Sequence, residues 1–512
     1  MSTLKRYMQY FLKFLLVMAL GLSLGNFTAM AGSSDSNAEV SIENADDASS
    51  YSMDSDEVVE ASESGEDHSL PSLWSVLPFA LLLTMIATGP LFYEHFWHKN
   101  YPKVAVILAA VVVAYYLFAL HNQHGPVHAF FEYVQFISLL TGLFIASGGI
   151  MIGIDKKASP MLNSMILLGG AIISNFIGTT GASMLLIRPY LRLNKHRIRP
   201  YHIIFFIFIV SNVGGSLTPI GDPPLFLGFL KGVPFGWTLT HNFVPWIVAL
   251  VILLGSFYVY DARNKHSRRH APKEEEITNK ISLVGHINFI WLAIVVGAVF
   301  LDPNVFEWVP AINYHGQKFS FLRELIMLTV AGVAYGTANK DLLKKNDFSF
   351  EPIKEVAFIF IGIFGTMMPA LELVGNFAKS PEGAAMITHN TLYWGTGLLS
   401  GILDNAPTYL NFLAASMASV EADINTVSVV KDFAAGGFTN SGLMLKAISV
   451  AAVFFGAMTY IGNGPNFMVK SIAEQLGIKM PSFFGYMIRF SIPILIPLFI
   501  LVWLIFFYWQ IL

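Results

Sequence analysis

The chain has 512 residues, 54% of them hydrophobic and 13% charged, with a mean hydropathy of +0.57. Apolar runs of the ~20 residues that cross a bilayer recur along it, which excludes a soluble domain and indicates a polytopic membrane protein. There is no cysteine, so disulfides and thiolate metal sites are excluded, and the formal charge of −3 hides strong segregation of sign.

Lys5, Arg6 and Lys13 lead into an apolar stretch, 14–24, and Ala29-Met30-Ala31 offers a small-x-small cleavage site. Residues 1–31 therefore read as a secretory signal peptide, with an uncleaved first helix as the alternative. Residues 32–70 are rich in Ser, Asp and Glu, and 33–69 lack Lys and Arg. They predict a disordered, acidic, extracytoplasmic tail.

Lys and Arg mark cytoplasmic loops. From an outside tail, spans are predicted over 73–93, 104–120 and 130–152, with Lys99 and Lys103, then Lys156 and Lys157, inside. Residues 160–187 have basic flanks on both sides. As one helix they would be about 42 Å long, too long for one ~30 Å crossing and too short for two. Their middle, SNFIGTTG at 174–181, is polar and glycine-rich. The economical reading is a re-entrant helical hairpin with its tip at Asn175. A broken crossing over 201–230 follows, then a span over 243–260.

The second half repeats the order. Spans are predicted over 283–301, 322–335 and 356–374. A hairpin centred on LDNAPT (403–408) covers 390–420, a broken crossing covers 447–467, and the last span is 483–509. The broken crossings share a frame: TPIGDPPLF at 218–226 aligns with TYIGNGPNF at 459–467. Gly and Pro interrupt both, and non-helical backbone at membrane depth is tolerated only when buried in protein or lining a cavity. Interrupted segments in matching positions of two halves point to a transporter's binding site. The expected fold is thus all-α and polytopic, with two inverted-topology repeats, each of five spans (one broken) and one re-entrant hairpin. The repeats are 71–260 and 283–512, joined by a charged cytoplasmic linker, 261–282.

Two asparagine-bearing hairpins and SNVGGSLTPIGDPP at 211–224 resemble the ion transporter superfamily. That group holds D-type sodium–proton antiporters, arsenite efflux permeases and citrate or dicarboxylate carriers. The resemblance covers roughly 73–512 as an architecture. One departure matters: dicarboxylate carriers of this group carry Ser-Asn-Thr at both tips. Here Ser174-Asn175 is followed by Phe-Ile-Gly before Thr179, and the second tip is Asp404-Asn405.

The expected site gathers Ser174, Asn175, Thr179 and Thr180 of the first hairpin with Asp404, Asn405 and Thr408 of the second. Ser211, Asn212, Thr218, Gly221 and Asp222 come from the first broken crossing, and Thr459, Gly462, Asn463 and Asn466 from the second. A carboxylate at the bilayer midplane is costly unless paired, protonated or cation-bound, which singles out Asp222 and Asp404. Capping of the following half-helix is the plainer role for each. Na⁺ is expected at Asn175, Asn212, Asp222, Asp404 and Asn405, through carboxylate and amide oxygens. Half-helix N-termini favour anions and keep a carboxylate substrate open. Arg188, about 12 Å along a helix from Thr180, reads as an interfacial anchor. Glu372 is a proton-relay position, and Glu132 and Glu355 read as interfacial.

The leading function is sodium–proton antiport; the alternative is a Na⁺- or H⁺-coupled citrate or dicarboxylate carrier. There is no P-loop, no HExxH and no recognisable catalytic pair, so an enzyme is not expected. No cofactor is expected beyond Na⁺ and H⁺ as transported or coupling ions. The expected partners are small ions or carboxylates, the lipid bilayer and a second copy in a homodimer, without nucleic acid. The location is a bacterial-type inner membrane.

Overall fold

The computed structural model describes residues 70–264 and 281–511, except 302, 304, 305, 307, 315, 316 and 347. The signal segment, the acidic tail up to residue 69 and linker residues 265–280 lie outside the described residues. The first half runs α1 (Leu77–Phe92), α2 (Glu94–Ala114), α3 (His124–Gly148), α4 (Pro160–Leu193), α5 (Pro200–Ile209), α6 (Pro223–Lys231) and α7 (Trp237–Ala262). The second runs α8 (Ile287–Ala298), α9 (Leu322–Thr337), α10 (Glu351–Lys379), α11 (His389–Ser400), α12 (Asn405–Ala418), α13 (Ser441–Phe455), α14 (Gly464–Gln475) and α15 (Phe483–Tyr508). Among the described residues, seven helices are long and apolar enough to cross a membrane, as expected of an all-α polytopic protein.

Four short strands are an addition to that expectation. β1 (Met151–Ile154) pairs antiparallel with β2 (Ile281–Val284), and β3 (Ile312–Tyr314) with β4 (Gln317–Phe319). The predicted third span ran to residue 152, but α3 stops at Gly148 and the chain turns into β1. Asn346 fixes that exit by donating to the carbonyls of Gly148 and Ile150.

α4 is a hairpin, not a rod. Gly178 sits at φ 77°, ψ 156°, a conformation favouring glycine, and reverses the chain. Asn163 and Asn194, 31 residues apart, exchange two side-chain hydrogen bonds of 2.9 and 2.8 Å. In a continuous helix they would be about 46 Å apart. The tip is therefore Gly178, three residues beyond the predicted Asn175. α11 and α12 fold back likewise about residues 401–404, and Gly395 of one arm lies against Phe412 of the other.

The broken crossings occupy the centre. Ile203–Ile209 in α5 and Ala447–Phe455 in α13 are fully buried on every side, as befits helices apolar all round. A tight 3-10 turn follows each, Val213–Gly215 and Gly456–Met458, before α6 and α14 resume. The shared sequence frame gives the same local geometry. Gly221 N–H donates to Thr218 Oγ1 at 3.1 Å, and Gly462 N–H to Thr459 Oγ1 at 3.0 Å. The backbones of Gly215 and Gly221 touch, as do those of Gly456 and Gly462. A Cβ on Gly221 would lie 2.1 Å from Gly215 O, and one on Gly462 would lie 2.6 Å from Gly456 O. Only glycine permits these approaches.

A buried polar knot closes the base of the first hairpin. Asp261, expected in the charged linker, is 1% exposed. It accepts from Arg197 through both oxygens (2.8 and 2.9 Å), from Tyr201 (2.7 Å) and from Asn163 (2.9 Å). A buried carboxylate with this many donors is tolerated because its charge and its lone pairs are both matched.

Candidate ion and solute site

Asp222 lies where the two hairpins and the two broken crossings meet. Its Oδ1 accepts from Thr179 Oγ1 and Asn463 Nδ2, both at 2.8 Å, and its Oδ2 accepts from Asn405 Nδ2 at 2.7 Å. Each donor comes from a different element: Thr179 from just past the first tip, Asn463 from the second crossing, Asn405 from the second tip. Asp222 is also the N-cap position of α6, but its side chain makes no capping bond. The carboxylate faces the junction instead. It is 1% exposed, and among the described residues no Lys, Arg or His pairs with it. Three neutral donors thus hold it, leaving one of about four acceptor positions free.

Other predicted residues fasten the frame. Asn175 Nδ2 donates to Gly214 O (2.7 Å) while its Oδ1 accepts from Leu217 N (2.9 Å), so the backbone of the first crossing engages both ends of its amide. Thr218 Oγ1 donates back to Asn175 O (2.6 Å), and Thr179 N–H donates to Gly221 O (2.8 Å). Ser174 Oγ reaches Val210 O at 2.8 Å. Ser400, not singled out in the sequence, makes a similar bond from the second hairpin to the second crossing, at Ala452 O and 2.6 Å. Ser211 bonds Ser183 at 2.7 Å. Gly456, also not singled out, aligns with Gly215 three residues before the shared frame, and that alignment is the sequence signal that points to it.

Two asparagine oxygens at the junction have no hydrogen-bond partner among the described residues. Asn212 gives its Nδ2 to Asn466 Oδ1 (2.7 Å) and Ile207 O, but its own Oδ1 is unpaired and fully buried. Asn405 gives its amide to Asp222, and its Oδ1 is likewise unpaired. Both amides border the open side of Gly456. A Cβ there would lie 2.9 Å from Asn212 Oδ1, 3.3 Å from Gly462 O and 3.4 Å from Asn405 Nδ2. Buried acceptors without donors are costly. An alkali cation is the simplest group that satisfies several at once. Among the described residues no three His, Asp or Glu cluster, so such an ion would be held by amide, carbonyl and carboxylate oxygens.

Asp404 and Thr408 stay outside this set, and Thr180 adds no side-chain hydrogen bond to it among the described residues. Asp404, half-buried, caps its own hairpin arm by accepting from Ala406 N at 3.0 Å, the plainer of its two roles. Thr408 bonds locally to Asp404 O (2.9 Å) and not to the carboxylate of Asp222. Glu372 accepts from Tyr116 at 3.0 Å, away from the junction. Glu132 is not interfacial: it is buried and ion-paired with Lys231 at 2.8 Å.

Two interrupted crossings braced by two helical hairpins around a buried carboxylate define a multi-pass membrane transport protein. The family described as "Putative citrate transport" matches residues 67–507, and the chain belongs to that family. It is therefore a transporter, not an enzyme. A "46 kDa membrane protein" of Mycobacterium leprae (strain TN) is 23% identical over 407 residues, 77% of this chain and 83% of that protein. "Uncharacterized transporter MT2759" of Mycobacterium tuberculosis (strain CDC 1551 / Oshkosh) is 22% identical over 414 residues, and so is "Uncharacterized transporter Rv2685" of strain ATCC 25618 / H37Rv. Each of those alignments spans 77% of this chain and 83% of the relative.

Proposed function

We propose that the protein is a secondary active transporter that exchanges Na⁺ for H⁺ at Asp222, in a bacterial-type inner membrane. The observation that carries this reading is a carboxylate held only by neutral donors beside two unpartnered asparagine oxygens. With no cation to neutralise it, Asp222 takes up either a proton or a metal ion. Na⁺ would bind between Asp222 Oδ2, Asn212 Oδ1, Asn405 Oδ1 and Gly462 O. Thr179 and Asn463 keep Oδ1 oriented in both states. The two halves are inverted repeats, with the first hairpin entered from the cytoplasm and the second from outside. Two copies form the working unit.

A second reading, carriage of citrate or a dicarboxylate, is favoured by the family's description. In it the same cation neutralises Asp222 first, and the N-termini of α6, α12 and α14 receive the anion. Without that cation a di- or trianion would be repelled by Asp222. Proteoliposomes with an imposed pH gradient separate the two. Na⁺ or Li⁺ should dissipate the gradient, with apparent affinity weakening as pH falls because H⁺ competes. Citrate or succinate uptake, with no gradient collapse by Na⁺ alone, would reject exchange in favour of the carrier.

A further inference from the structure

α6 carries Asp222 before its first residue and Lys231 as its last. Lys231 is 7% exposed and pairs with Glu132 of α3 at 2.8 Å. Its Nζ also reaches Asn425 Oδ1, beyond the second hairpin, at 3.2 Å. His128 Nδ1 lies 3.4 Å from the same Glu132 oxygen. Gly232 then turns at φ 121°, where a Cβ would lie 3.1 Å from Val427 O. One ion pair thus clasps three separate parts of the chain at one end of α6.

The opposite end of α3 is open. A cleft of about 300 Å³ is lined there by Ser147, Met184, Arg188, Phe467 and Ser471. Glu132 and Ser147 stand about 22 Å apart along the helix. The cleft stops short of the junction, since neither Thr179 nor Asp222 lines it and both are buried. Ser147 Oγ lies 3.5 Å from where a Cβ on Gly181 would sit, and Gly181 is two residues from Thr179, which holds Asp222. The cleft thus ends a short way from Thr179, whereas the far end of α6 is closed by the buried Glu132–Lys231 pair.

We propose that the Glu132–Lys231 pair is the latch that closes Asp222 to the face opposite the cleft, and that it opens once per transport cycle. A buried ion pair is a poor stabiliser compared with apolar packing but a good two-state lock, since parting its members uncovers two charges together. Lys231 at the C-terminal end of α6 also matches the helix dipole, so α6 carries its own counter-charge when the pair separates. The latch rests on the reading of Asp222 as the transport group, but its test uses no transported solute.

The chain lacks cysteine, so single reporters can be labelled without background. L227C lies one turn below Lys231 on the buried face of α6, and S471C lines the cleft. Glu132→Gln and Lys231→Met should each speed labelling of L227C several-fold by an impermeant maleimide and slow that of S471C. The exchanged pair, Glu132→Lys with Lys231→Glu, should return both rates toward the starting values. Where the single variants do not fold, Glu132→Asp takes their place with the same expectation. A lower melting temperature with unchanged labelling at both reporters would overturn the latch and leave the pair a structural brace.

Discussion

Replacing Asp222 by Asn and by Leu separates the junction's two duties, holding four elements together and carrying charge. In wild type three donors, from Thr179, Asn405 and Asn463, converge on the carboxylate. Leucine leaves Thr179 Oγ1 and Asn405 Nδ2 buried without that acceptor, while Asn463 Nδ2 keeps its bond to Ser211 O at 3.1 Å. At about 1–3 kcal/mol for each of the two orphaned groups, the loss is about 2–6 kcal/mol, a large part of the whole stability of many proteins. Asparagine keeps an oxygen for Thr179 and Asn463. Its new N–H₂ faces Asn405 Nδ2, but rotation of the Asn405 amide presents Oδ1, which has no partner among the described residues. The cost is then the charge assistance of three bonds, roughly 3 kcal/mol at most, offset by no longer burying an ion. Melting in detergent should rank wild type close to Asp222→Asn and well above Asp222→Leu. In proteoliposomes Asp222→Asn should be folded and without ion-coupled flux. Full coupled flux in Asp222→Asn would refute the transport role, and wild-type melting of Asp222→Leu would refute the structural one.

Gly462→Ala places a Cβ 2.6 Å from Gly456 O and 2.8 Å from Ser400 O, both backbone atoms, whereas Gly464 has nothing within 4 Å. Gly462→Ala should therefore destabilise by about 1–3 kcal/mol or more and weaken transport, while Gly464→Ala should be neutral or stabilising by up to about 1 kcal/mol in the same melts. The inverted repeat predicts opposite sides for the hairpin flanks. Cysteines at Lys195 and Thr426, both exposed, should react with an impermeant reagent from opposite faces of sealed vesicles, and reaction of both from one face would reject the inversion.

Much of this arrangement is legible in the residues because Gly, Pro and charge carry strong local information. The frames at 218–226 and 459–467 locate both broken crossings, since few backbones other than an unwound turn accept them. Basic flanks on both sides of 160–187 reveal a hairpin without any contact being known. The tip itself was misplaced because polarity suggested Asn175, whereas the turn is made by Gly178 and the Asn175 amide is engaged by the neighbouring crossing. Glu132 and Asp261 were read as surface charges because their partners, Lys231 and Arg197, stand far away in the sequence. β1 was hidden for a different reason: MIGI continues an apolar run, and no local signal distinguishes the end of a span from the start of a strand.

The reciprocal amide pair of Asn163 and Asn194 has a mechanical consequence. It bolts the two arms of α4 at the end farthest from Gly178, and both residues are fully buried. Splaying the arms would strip four polar groups at once, and Asn163 is tied in addition to Asp261. The hairpin therefore behaves as a lever, not as tweezers. Moving its tip would carry α5, α7 and the Asp261 knot along, so under the proposed transport role Asp222 would be uncovered by sliding of a whole block against its neighbours rather than by a jaw opening at Thr179.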